Sequence, residues 1–127
     1  MALQDPGLDI GYVIAAADYS TVGQFKAVKV ATTAALTVTL ANTGGESILG
    51  ILQNNPTTAA AADVRFTGIS KGLINGTVTA GDKLMTDTTA AFITATTTNI
   101  AVAVALESGV PSTLITVALI PGIGQKQ

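Results

Sequence analysis

The stretch LTVTLANTGGESILGIL, Leu36 to Leu52, sets how the rest of the chain reads. Its first five residues alternate: Leu36, Val38 and Leu40 share one face of an extended chain, and Thr37 and Thr39 share the other. Successive side chains of a strand point to opposite faces, so this pattern predicts a strand buried on one side. Asn42–Glu46 (NTGGE) predicts a turn, because paired glycines supply positive φ at no steric cost. Ile48–Leu52 (ILGIL) is a short unbroken apolar run, as expected of a strand covered on both faces.

The same grammar continues in both directions. Asn54-Asn55-Pro56 breaks the ladder, and Ala59–Ala62 is too short to nucleate a helix. Val64–Thr67 (VRFT) alternates again, with Val64 and Phe66 expected inward and Gly68 a bend or bulge. Ile69–Ile74 leads into Asn75-Gly76, a strong hairpin signal, and Ala80-Gly81-Asp82 is a second tight turn. Lys83–Thr86 and Phe92–Ala95 read as a hairpin around Asp87–Ala91. Ile100–Leu106 and Leu114–Ile120 are the last two strands, separated by a turn at Ser108–Ser112 and closed by Pro121-Gly122. Upstream, Phe25–Val30 is strand-like. Met1 to Thr21 shows no clear period, and a short strand at Tyr12–Ala15 or a short helix at Ile14–Tyr19 both fit.

Many short strands separated by turns predict an all-β fold: a compact β-barrel or sandwich of short antiparallel strands with an extended N-terminal arm. The expected division is an arm over residues 1–21, a barrel over 22–122 and a flexible tail over 123–127.

Composition narrows the function. With 127 residues the chain has the length of one domain. It has no Cys and no His, which removes disulfides, thiolate metal sites and the commonest general base. It has no Trp, aromatics are 4%, and the net charge is −2, so neither base-stacking platforms nor a basic nucleic-acid face is expected. Charged residues make up 11%, against about 25% in an ordinary soluble domain. A surface so poor in charge suits cover by partner subunits, whose interface cores are depleted of charge. A Thr-rich exterior of a viral or secreted β-protein is a compatible reading. The longest apolar run, Ile100–Leu106, is far short of the roughly 20 residues a membrane helix needs. MALQDPGLD lacks the basic start of a secretory signal, so the chain is expected to stay in the cytoplasm where it is made or to assemble there.

Candidate chemistry is sparse. Ser70-Lys71 are neighbours, which on a strand point apart, so a Ser–Lys dyad is not expected. Asp5 with Asp9, and Asp82 with Asp87, lack the dense spacing of a calcium loop, and the latter two read as turn-forming residues. Pro121–Lys126 (PGIGQK) lacks the spacing of a phosphate loop. No catalytic, cofactor or metal residue is expected.

Several pieces in order carry a resemblance: Ile48–Pro56 (ILGILQNNP), Ala60–Ala62 with Val64, Gly68-Ile69-Ser70-Lys71, Val78–Leu84 (VTAGDKL) with Thr86-Asp87, Ala103–Glu107 (AVALE) and Val117–Gly122 (VALIPG). Together, over Phe25 to Gly122, they resemble the small capsid decoration (cement) proteins of tailed bacteriophages. That resemblance implies a β-barrel on the outer surface of the virion head, often a homotrimer, which clamps neighbouring major capsid subunits and has no catalytic site. The implied partners are the major capsid protein and the chain itself, with no nucleic acid and no membrane. Leu3, Leu8, Ile10, Tyr12 and Ile14 carry apolar area that an arm would need to cover, so they are the expected interface with the capsid. Deleting Met1–Ala17 is then expected to leave a folded barrel that no longer holds the head. Two other readings fit the same residues. One is a fibre-base or tail module of a virion. The other is a small glycan-binding β-module, for which Tyr12, Tyr19, Phe25, Phe66 and Phe92 are the available aromatics.

Overall fold

A left-handed glycine stands in the middle of the longest strand and divides the molecule. The computed structural model describes residues 7–120 and 125–126, with side chains from Val13 to Ile120. The described residues hold strands β1 (Gly7–Ala15), β2 (Ala27–Val30), β3 (Thr37–Leu40), β4 (Gly50–Leu52), β5 (Ala61–Ile74), β6 (Lys83–Thr86), β7 (Phe92–Thr94), β8 (Ile100–Ala101), β9 (Ala103–Ala105), β10 (Thr113–Leu119) and β11 (Gln125–Lys126). No helix occurs among them, so the fold is all-β.

Nine strands run in the order β1-β3-β2-β4-β5-β10-β9-β6-β7, with two further pairings, β1 to β5 and β5 to β7. The first extra pairing closes β1, β3, β2, β4 and the first half of β5 into a five-stranded barrel. The second half of β5 continues into β10, β9, β6 and β7, and β7 returns to β5 through the parallel pair Ile74↔Phe92. Gly68, at φ +94, is where β5 passes from one ring to the other: it pairs with Gly7 on one side and with Leu119 on the other. A positive φ is cheap only for glycine.

Each ring has its own core. The barrel is filled by Val13, Ala15, Tyr19, Val28, Val38, Leu52, Ala62 and Val64. The second ring packs around Phe92, Ile74, Leu84, Val102, Ile115 and Val117, joined by Ala27 and Ile51 from the barrel. Phe92 lies against Gly72, where a methyl group would come within 3.2 Å of its ring, so a bare backbone makes room for the largest core side chain. Tyr19 is buried with its hydroxyl satisfied, 3.1 Å from Thr39 Oγ1 and accepting the Leu40 amide at 3.3 Å.

Several expectations are met. The hairpin around Asp87–Ala91 forms with the register Leu84↔Thr94, Met85↔Ile93, Thr86↔Phe92. Gly50–Leu52 is buried along its whole length. Gly81 takes φ +95 in the Ala80–Asp82 turn, and Ala59–Ala62 forms no helix.

Others need correction. Residues 1–21 were expected as an arm, yet from Gly7 the backbone is a barrel strand, antiparallel to β5 and parallel to β3. Of the two readings, the short strand at Tyr12–Ala15 is the one that forms, as the end of a longer β1; its earlier part shows no period because register shifts between Leu8 and Asp9 and between Ile10 and Val13 interrupt it. Leu36 does not share the inner face with Val38: it precedes β3 at φ 51 and is 62% exposed, while Thr37 is buried. Asn75-Gly76 is not a two-residue hairpin turn. Neither residue has a positive φ, and the following segment crosses to Gly109 through a single bridge at Val78. The run Ile100–Leu106 breaks at Val102, whose amide bonds Leu84 and whose carbonyl accepts from Ile120. The expected tail 123–127 lies outside the described residues except Gln125–Lys126, whose backbone pairs with Ile100–Ala101.

Candidate functional site

Reactive groups do not converge. Ser70 is buried, accepts from Gln53 Nε2 at 2.9 Å and donates to the Lys71 carbonyl at 2.8 Å, while the Lys71 side chain is on the exposed face. Asp82 serves its turn, accepting from the Thr79 amide at 3.0 Å and Thr94 Oγ1 at 3.3 Å. Asp87 organises its hairpin loop: Oδ1 accepts from the Thr89 amide and hydroxyl, both at 2.7 Å, and from the Ala91 amide at 3.1 Å. Its Oδ2 accepts from Asn75 Nδ2 at 2.9 Å. Partial burial pushes the Asp87 carboxyl up, but these hydrogen bonds outweigh burial and hold it below the usual carboxylate range. The hydrogen bonds from Ser20 to Asp18 and from Thr116 to Glu107 likewise lower those carboxyls. Asp5 lies outside the described residues, as does the side chain of Asp9. No group of three metal-ligating side chains occurs among the described residues.

Among the described residues, apolar side chains gather on the exterior most clearly in two places. On the barrel, Val30, Ile48, Leu49 and Phe66 line a shallow groove of about 570 Å³ whose rim carries the Lys29–Glu46 ion pair at 3.0 Å. Phe66 was expected in the core. It is skipped where the register passes from Leu8↔Thr67 to Asp9↔Arg65, and the bulge leaves it half-buried on this groove.

The second place is the outer face of β5, β10, β9 and β6. Register puts Ile69, Ala118, Val104 and Lys83 in one row across four strands. Thr116 and Lys71 form the next row, with Leu106 alongside through its amide bond to Thr116. Leu114 and Leu73 form the third. Ile69, Leu106 and Leu114 are 40%, 47% and 46% exposed. At its edge a groove of about 520 Å³ brings Val22, Phe25 and Lys26 against Leu73 and Leu114. Sequence reading missed this face. Its signal is present in the outward positions of the strands β5 and β10, but only the pairing shows that they align.

The expected interface residues are only partly placed. Leu3 lies outside the described residues. Leu8, Ile10 and Tyr12 belong to the β1 backbone, and their side chains are outside the described set. Ile14 is 38% exposed, and its amide donates to the carbonyl of the exposed Leu36 at 2.9 Å.

No family model and no curated protein matches the chain. The resemblance to decoration proteins therefore rests on the ordered motifs alone. Among solved structures, the chain is similar to the N base of the head fiber gp8.5 of bacteriophage phi29, with a TM-score of 0.71 at 9% sequence identity. The match covers 94% of this chain and 99% of that one. At such low identity the likeness establishes the fold, nearly end to end.

Proposed function

We propose that this chain is a structural component of a bacteriophage virion, a β-module seated on the outside of the head. The observation that carries the reading is the near-complete structural likeness to a head fiber base. Two further features support it: Asp82 and Asp87 serve turns, and the chain is poor in charge and carries exposed apolar residues. The structural likeness supports a fiber-base role. The sequence resemblance supports clamping of neighbouring major capsid subunits by a homotrimeric cement protein. Both need a repeated surface contact in which modest interfaces sum over a lattice.

Quantitative mass spectrometry of purified virions against the major capsid protein tests the proposal. A stoichiometry near that of the shell supports a decoration protein. A fixed lower number of copies, released together with fibers, supports a base. Absence from virions overturns the reading.

A further inference from the structure

We infer that the outer face of β5, β10, β9 and β6 docks a protein surface that presents acidic side chains around an apolar ridge. The argument starts from where the cations stand. On the barrel, Lys29 is paired with Glu46 and Arg65 donates to the Ile69 carbonyl at 2.8 Å. Lys26, Lys71 and Lys83 make no side-chain hydrogen bond or ion pair among the described residues, and all three lie on or beside this one face. Lys83 ends the row that begins at Ile69, Lys71 stands in the middle row, and Lys26 borders Leu73 and Leu114. Glu107 lies at the edge with one carboxylate oxygen held by the Thr116 amide at 2.8 Å. The chain as a whole carries a net charge of −2, so three unpaired lysines around exposed Ile69, Leu106 and Leu114 are a local reversal of its overall sign.

That arrangement selects the occupant. Two copies meeting through this face about a twofold axis would bring lysines against lysines, which disfavours the isologous contact. A nucleic acid needs a dense cationic track, and here the cations are the minority around leucine and isoleucine. An acidic protein surface with an apolar centre matches both the charge and the hydrophobic area. Identifying that surface with the phage shell rests on the reading above; the chemistry of the face does not.

The test has two arms on the whole chain. In the first, the isotope-labelled protein is titrated with poly(Glu,Tyr) copolymer and, separately, with duplex DNA, and amide shifts are followed by NMR. The expected result is copolymer-induced shifts concentrated on residues 69–73, 104–107 and 114–118. These should weaken at least tenfold in Lys71→Glu/Lys83→Glu and fade as salt rises. Both positions are exposed strand sites, and retained native chemical-shift dispersion establishes that the variant folds. A Val30→Ser variant, altered on the other ring, should bind as the parent does. Shifts scattered over the surface, equal binding of DNA, or undiminished binding by the folded double variant overturns the inference. In the second arm, parent and variant are added to heads lacking this protein. Parental binding lost in the variant places the shell on this face. Parental binding that survives in the variant shows that the shell uses another face and overturns the shell as the occupant of this one. A positive first arm with no parental binding to heads leaves the face standing and sinks the virion reading.

Discussion

Two Gly→Ala substitutions five residues apart should behave oppositely. Gly76 follows Asn75 in a dipeptide that ordinarily marks a type I′ hairpin turn, where both residues need φ above zero. In the structure neither has it, and a Cβ on Gly76 meets only the Ile93 side chain, with Cγ2 at 3.5 Å and Cβ at 3.9 Å, both ordinary contact distances. Gly81 has nothing within 4 Å of its added Cβ but sits at φ +95. Gly76→Ala is therefore expected to be neutral or to stabilise by up to about 1 kcal/mol, through a less flexible unfolded chain. Gly81→Ala should cost about 1–2 kcal/mol in backbone strain despite its open surroundings. For 127 residues, at about 2.1 cal/mol/K per residue, the unfolding entropy is roughly 0.27 kcal/mol/K. The expected shifts in Tm are then about 0 to +4 °C for Gly76→Ala and about −4 to −7 °C for Gly81→Ala. Differential scanning calorimetry of the two variants beside the parent reads this directly. A Gly76→Ala variant that loses as much as Gly81→Ala would mean that the dipeptide does form the left-handed turn and that the crossing to Gly109 is misplaced.

Other consequences follow from the same geometry. Gly50→Ala would place a Cβ 2.2 Å from the Arg65 carbonyl oxygen, on backbone that is itself paired, so a loss of roughly 3 kcal/mol or more is expected by denaturant unfolding. Deleting Met1–Ala17, expected of a separate arm to leave a folded barrel, instead removes β1 and strips its partners from β3 and the first half of β5; circular dichroism should show an unfolded or aggregated chain, and a folded truncation would contradict the closed barrel. Asp87→Ala should cost about 1–2 kcal/mol, the value of a loop carboxylate that satisfies several donors. Because the folded state lowers the Asp87 pKa, its contribution is complete above the unfolded value, about 3.9, and is lost as pH falls through the folded one. Stability of Asp87→Asn should therefore fall less steeply than that of the parent below about pH 4, and parallel acid limbs would refute the assignment.

The sequence carried much of the fold and little of the exterior. Alternation and turn chemistry located β3, β4, the β6–β7 hairpin and β10, because each is short and its pattern answers to nearby neighbours. Only the end of β1, Tyr12–Ala15, was legible as a possible strand, because two register shifts interrupt the period of the residues before it. Phe66 failed for a related reason, since a bulge turns a side chain outward without changing the local pattern. Asn75-Gly76 misled because the dipeptide signals a turn only when two strands return on each other, and here the chain leaves for the far end of the second ring. The outer face shows the limit most clearly. Strand periodicity alone says that Ile69, Lys71 and Leu73 point one way, and that Leu114, Thr116 and Ala118 do too. That they stand shoulder to shoulder, with Val104 and Lys83 completing a row, is a matter of register between segments distant in sequence. Such a surface has to be read from strand pairing rather than from motifs.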